Sequence, residues 1–276
     1  MTIYSTQKTS SMDVGSFYVY IVESSILITT CLAVAVPIFL NPRLRSQKEY
    51  IIFGGSAIFD ALFGLAYLSA GAWRLAILYS ETYVPLYTPW MCFNTFHIYI
   101  FTIIIPTSGV LTLLITLDRL FSVTFPVKYV RLTPIYSYSL LLVACLTSVP
   151  TFSLAAIGTY NNLRDDYTSS KVCTSSLAMS QTMFSVLRGI RITCTLMSVL
   201  FYIPIAWKVK SLLRRFKSQS TYGMSKKQQK QITAVTCTVA LITLNQLVCF
   251  VIPDLILAFE IGHDSFVFYI MVLSLL

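Results

Sequence analysis

In the stretch LDRLFSVTFPVKY, Asp118 and Arg119 stand side by side at the end of an almost uncharged run. A carboxylate beside a guanidinium can close an internal ion pair. At the edge of an apolar run it also reads simply as an arginine reaching for headgroups with a counter-charge next to it. Asp60 lies in the middle of another apolar run. A carboxylate is expensive there, and is either a neutral, hydrogen-bonded acid that binds helices together or a functional group. Arg188 and Arg191 are spaced i, i+3 and so share one face of a helix. They can rise to phosphate headgroups or draw in an acidic ligand. His97 and His263 are isolated, no His/Glu/Asp cluster has metal spacing, and no nucleophile stands beside a base. The chain is therefore not read as an enzyme.

What must position these groups is a bilayer. Of 276 residues, 56% are hydrophobic and 11% charged, where a soluble domain carries about 25% charged residues. The deficit runs the whole length, broken into apolar runs long enough to cross a membrane. The predicted spans are 17–40, 50–72, 92–121, 135–157, 184–208 and 230–259, with a seventh, 264–276, still apolar at Leu276. The 12 residues from Ser265 to Leu276 cover about 18 Å of a core about 30 Å thick, so the seventh helix is incomplete as given. The first run is too long for a signal-peptide core and lacks a basic leader, so it reads as a retained span. There is no internal repeat and no low-complexity segment. The expected fold is all-α, a polytopic seven-transmembrane helix bundle, with 1–16 as a short N-terminus and 17–276 as a single domain.

The net charge of +9 is not spread over a soluble face, and no aromatic-interleaved basic patch accompanies it, which argues against nucleic acid. The bases cluster between the runs. Thirteen lie after spans one, three and five: Arg43, Arg45, Lys48, Lys128, Arg131 and eight from Lys208 to Lys230. Only Lys8, Arg74, Arg164 and Lys171 lie in the opposite loops. The positive-inside rule places the N-terminus outside and the basic loops in the cytoplasm. The third basic loop carries no acid, which suits anionic lipid as well as an extended helix meeting a protein partner.

LDRLFSVTFPVKY resembles the end of helix 3 and the second cytoplasmic loop of rhodopsin-like G-protein-coupled receptors, where Asp/Glu-Arg-Tyr precedes an apolar loop with a proline. Asp118 and Arg119 take the first two positions, Leu120 replaces the tyrosine, and Val123 and Pro126 follow at the family spacing. The resemblance implies that Arg119 is held at rest by Asp118 and released to face a heterotrimeric G protein. Val127, just after Pro126, would be the apolar contact. SAIFDALFGLAYLSAG resembles the helix 2 pattern, with Asp60 as its acid. Ser108, eleven residues before Arg119, stands where the family often has a serine that helps the acid hold a sodium ion. By itself Ser108 also reads as a small residue at a helix contact. Pro253 in LNQLVCFVIPDLI supplies a kink in helix 6.

Cys92, at the outer start of the third span, and Cys173, in the second outer loop, are the pair for which the resemblance implies a disulfide. Cys92 stands 27 residues before Arg119, about two more than the family spacing, and Pro106 offers a place for a bulge. The family's helix 6 tryptophan and mid-helix 5 proline are missing, and no acid opens helix 6. The helix 7 Asn-Pro-x-x-Tyr motif is also missing, because the chain ends first. These departures, with the short loops and the LRSQKEY opening of span two, resemble the divergent nematode serpentine chemoreceptors, most nearly the srsx-type group, over about 20–276.

The function this implies is a chemosensory receptor of the plasma membrane. A small-molecule or peptide ligand would enter from outside, bias helix 6 against helix 3, and expose Arg119 to the G protein. On the upper part of helix 3 the ligand candidates are His97 and Phe101. Phe101 lies eighteen residues before Arg119, where amine receptors carry an aspartate, which argues against a biogenic amine; plain packing is its other reading. On helix 5 the candidates are Arg188 and Arg191, for which Asp254 offers an internal partner. Two alternatives stand beside this. The unfinished seventh span suggests a truncated, non-signalling relative. A channel or transporter subunit has against it the missing repeats and the charge count.

Overall fold

A chain whose backbone cannot reach water must satisfy its own N–H and C=O groups, and a helix does so within one segment. The structure, a computed structural model, describes residues 11–79, 88–163, 173–175 and 177–218. Predicted spans six and seven, with Pro253, Asp254 and His263, lie outside them. Among the described residues there is no strand. Five helices are long and apolar enough to cross a membrane: α1 (Ser11–Leu40), α3 (Lys48–Tyr79), α5 (Phe96–Thr124), α7 (Pro134–Leu163) and α8 (Gln181–Ser218). Between them lie three short helices, α2 (Pro42–Arg45), α4 (Pro89–Phe93) and α6 (Pro126–Val130).

Each short helix opens on a proline, whose missing N–H costs nothing in a first turn. Two of them carry side-chain caps. Asn41 Oδ1 accepts from the Arg43 N–H at 3.0 Å, and Thr88 Oγ1 from the Met91 N–H at 3.2 Å.

α5 is the central element, packed against α3, α7 and α8, while α1 lies along α3. Large apolar side chains face outward, among them Leu142, Leu146 and Val149 on α7 and Leu200, Ile203 and Trp207 on α8. A lipid-facing surface is what burial of a bundle in hydrocarbon requires. Since lipid is as apolar as leucine, the inward contacts rely on close fit, which small residues allow. Gly64 and Gly71 of α3 sit against α1, where added Cβ atoms would lie 3.3 Å from the Ser24 carbonyl oxygen and 3.2 Å from that of Phe17. Among the described glycines the closest approach to a neighbouring backbone is α5 on α8, where a Cβ at Gly109 would lie 2.7 Å from the Arg191 Cα.

Helix ends shift by up to several residues from the predicted spans, as at Ser11 and Leu163, and three differences bear on the argument. α3 runs to Tyr79 rather than 72, so Arg74 belongs to the helix and not to a loop. The third span is divided. α4 ends with the Asn94 N–H on the Trp90 carbonyl at 3.1 Å, and α5 starts afresh after Thr95. The added length between Cys92 and Arg119 is therefore taken up at Asn94–Thr95, and α5 continues through Pro106 without interruption. α8 continues to Ser218, past its membrane-length part Gln181–Lys208; once lysines and arginines leave the apolar layer, nothing in their chemistry stops the helix.

Gly109→Ala is expected to lower stability by about 1–3 kcal/mol, because its Cβ meets backbone that cannot rotate away. Gly189→Ala, on α8 with nothing within 4 Å of its added Cβ, should leave stability unchanged or raise it. Thermal unfolding of the two purified variants in detergent checks the pair.

Candidate functional site

Neighbouring residues on a helix point about 100° apart and do not ordinarily meet. Arg119 meets Asp118 because its long side chain folds back, bringing Nη2 to 3.0 Å from Asp118 Oδ2. Both side chains are buried, at 5% and 0% exposure. A third group closes the arrangement: the Tyr129 hydroxyl donates to Asp118 Oδ2 at 3.2 Å. Burial pushes the Tyr129 phenol far above the ordinary tyrosine range, with Arg119 opposing and Asp118 reinforcing. Tyr129 therefore keeps its proton and stands as a hydrogen-bond donor to Asp118. Tyr136 of α7 stands near the same carboxyl.

α6 makes this possible. Its single turn sets Tyr129 inward, while Pro126, Val127 and Val130 face out, Val127 at 69% and Val130 at 79% exposure. The turn is held from α3. Lys48 donates through Nζ to the Tyr129 carbonyl and lies 3.6 Å from the centre of its ring. Ser137 of α7 donates to the Lys48 carbonyl at 2.9 Å. The ends of α3, α5 and α7 and the turn of α6 thus meet at one polar cluster. Among the described residues, Asp118 Oδ1 and Arg119 Nε have no hydrogen-bond partner. Asp118 and Arg119 were legible as a pair. Tyr129 stands in the same quoted stretch and Lys48 was counted only as a loop base, and neither was given a role.

Asp60 and Ser108 also come together. Both line a cavity of about 30 Å³ between α3, α5 and α8, with Gly109, Thr112, Arg191 and Thr195, a space for about one water. The Ser108, Thr112 and Thr195 hydroxyls donate to carbonyls of their own helices. The oxygens that would hold a sodium ion are those of Asp60 and Ser108. The fit is poor, because Arg191 stands on the same wall and sets a like charge against any cation.

A larger cavity of about 350 Å³ lies nearer the end that carries Cys173. Phe101, Arg188 and Arg191 line it, and Arg74 joins them from α3. Phe63, Tyr67 and Phe101 form an edge-on cluster beside it, their ring centres 4.9–5.9 Å apart. His97 is not on its lining. It is buried, and its Nε2 lies 3.4 Å from the Cys173 carbonyl oxygen, so it anchors the segment that roofs the cavity.

Cys92 and Cys173 form a disulfide across 81 residues of sequence. Cys173 has a φ of 39°, a left-handed conformation unusual for a residue with a side chain. Both cysteines are fully buried in a core with Phe93, Ile98, Ala178 and Leu187, which ties α4, α5 and α8 together at this end. Thr174 and Ser175, the next residues, reach the large cavity.

An all-α bundle of membrane-spanning helices, closed at one end by this disulfide and at the other by a buried Asp-Arg pair, defines a serpentine receptor. The chain belongs to the serpentine-type seven-transmembrane GPCR chemoreceptors of the Srsx family, which matches residues 26–276. The srsx-type resemblance in the sequence is borne out, and the protein is a multi-pass membrane protein. No curated protein matches the chain.

Removing the disulfide with Cys92→Ala and Cys173→Ala together should cost about 2–5 kcal/mol of stability. Thermal unfolding with and without reductant checks this: the parent should shift with reductant and the double variant should not.

Proposed function

We propose that this protein is a chemosensory receptor of the plasma membrane, with its N-terminus outside, which passes ligand binding to a heterotrimeric G protein through Arg119. The observation that carries the reading is the buried Asp118–Arg119 pair beneath Tyr129, next to an exposed apolar turn. A charge pair in low dielectric is stable only while its hydrogen bonds and packing hold. It is therefore an element with two arrangements, which a ligand can bias by binding one better than the other. In the resting arrangement Asp118 occupies Arg119. In the signalling arrangement helix 6 has moved away from α5, and the guanidinium turns to the partner. Val127 and Pro126 stand on the same face as neighbours for it. The thirteen basic residues after spans one, three and five support a cytoplasmic position for this face.

Two variants test the proposal in membranes containing the receptor and a G protein. Arg119→Ala should abolish stimulated nucleotide exchange at unchanged surface expression; exchange at the parent rate overturns the mechanism. Tyr129→Phe removes a hydrogen bond to a charged group, worth roughly 1.5–3 kcal/mol. Ligand-free exchange should then rise about tenfold or more, and an unchanged basal rate would remove Tyr129 from the resting lock.

A further inference from the structure

The contact between Tyr129 and Asp118 needs something to aim the phenol. α6 has five residues, too few for a helix to be stable by itself, and Phe125 gives it no side-chain cap. In so short a turn the last carbonyls have no partner within the helix. The Tyr129 carbonyl is used twice, by the Leu132 N–H at 3.1 Å and by the Lys48 ammonium. The same ammonium lies 3.6 Å from the centre of the Tyr129 ring, where a cation meets the negative face of the π system. One side chain thus holds both the backbone and the ring of a single residue. The hydrogen bond alone would let the ring turn about its side-chain bonds, and the ring contact alone would let the turn slide. Together they point the hydroxyl at Asp118 Oδ2, 3.2 Å away.

Lys48 can do this because its own base is fixed. It is the first residue of α3, and its carbonyl accepts from Ser137 Oγ of α7 at 2.9 Å, with Ser137 fully buried. Tyr129 also meets α5, through Asp118 and through the edge of Phe121, 6.2 Å between ring centres. α5 runs into α6 through Phe125, so those contacts join the turn to its own neighbour in the chain. Lys48 joins it to a different helix. Among the described residues Lys48 makes no ion pair, so it is not a second counter-ion to Asp118. A lysine at the end of an apolar run ordinarily reaches for headgroups. This one is turned inward, to a carbonyl and a ring.

We propose that Lys48 is the positioning residue of the α6 turn. Held at α3, it aims the Tyr129 hydroxyl at Asp118 and, through the same five residues, sets the angle at which the exposed Val127 and Val130 are presented. The assignment rests on the coupling reading of Arg119 and names what regulates its resting state. Lys48, which composition placed among the loop charges, then acts through Tyr129 and touches neither ligand nor G protein.

The first measurement needs no ligand. A fluorotyrosine is placed at position 129 alone in the full chain, in phosphatidylcholine nanodiscs, and its fluorine NMR signal reports the surroundings of the ring. Lys48→Met keeps the stem and loses both contacts, so it should shift the signal and broaden or split it. Lys48→Arg, whose guanidinium can donate to the carbonyl and stack on the ring, should restore most of the parent signal. Ser137→Ala leaves Tyr129 untouched and loosens the base of Lys48. It should move the signal the same way by less, and it serves alone where Lys48→Met does not fold. Arg45→Met removes an exposed base from the same end and should change nothing. In membranes with a G protein, Lys48→Met should raise ligand-free exchange about threefold to tenfold. In a Tyr129→Phe background it should add little more, because the two act as one unit.

The assignment is overturned if neither Lys48→Met nor Ser137→Ala moves the signal, or if Lys48→Arg or Arg45→Met moves it as far as Lys48→Met. It is equally overturned if Lys48→Met and Tyr129→Phe raise exchange independently, or if the signal moves while ligand-free exchange stays at the parent rate. The fluorine measurement contains no G protein. A moved signal with exchange indifferent to Arg119→Ala would therefore sink the coupling mechanism alone. An unmoved signal with exchange abolished by Arg119→Ala would sink this assignment alone.

Discussion

The crossing of α5 over α8 sets the geometry on which both cavities depend. With no side chain at Gly109, the two backbones meet at Arg191, so that a Cβ would fall 2.7 Å from its Cα. Lipid offers helices little reason to associate beyond fit, and contact of backbone with backbone is the closest fit available. That contact fixes where Arg191 stands, on the wall of both the small and the large cavity. Helices held farther apart would merge the two spaces, or open them to lipid. One residue without a side chain thus decides how a guanidinium on the neighbouring helix is presented.

The other end of the bundle is held by polar contacts instead. At 3.0 Å, and with an effective dielectric near 20, the Asp118–Arg119 attraction is about 5 kcal/mol before the cost of desolvating both groups is set against it. The two terms are of similar size, so the pair adds little net stability. Its importance lies in the cost of breaking it halfway. A buried carboxylate that loses the Arg119 guanidinium or the Tyr129 hydroxyl must find another partner, and this is why α3, α6 and α7 converge on it.

Much of this was open to a reader of the residues. Five spans fell where apolar runs predicted them, and the adjacency of Asp118 and Arg119 was visible in the chain itself. What escaped depends on how helices end and meet. Hydropathy ends a span where charge begins, but backbone hydrogen bonds do not stop there. Arg74 and Lys48 therefore passed for loop bases although both are helical. His97 reads as a residue of the upper third helix, and only the fold brings it under the Cys173 carbonyl, outside the cavity it was expected to line. Tyr129 was missed because its direction is set by a single turn, too short to leave a period in the sequence. That Asp60 and Ser108 share a cavity was implied by the family resemblance, whereas Arg191 on the same wall was not, since no spacing rule links distant helices.

That single turn has a mechanical corollary. α6 presents Val127 and Val130 to the surroundings and Tyr129 to the interior, and five residues are too few to flex independently. A protein that seats itself on the outer valines and draws the turn toward it must also pull the phenol from Asp118. Conversely, any movement that frees the phenol rearranges the seat. By thermodynamic reciprocity the two events favour each other by the same free energy. Under the coupling proposed above, the turn would act as a rocker, and a partner seated on it would also help to hold the receptor open.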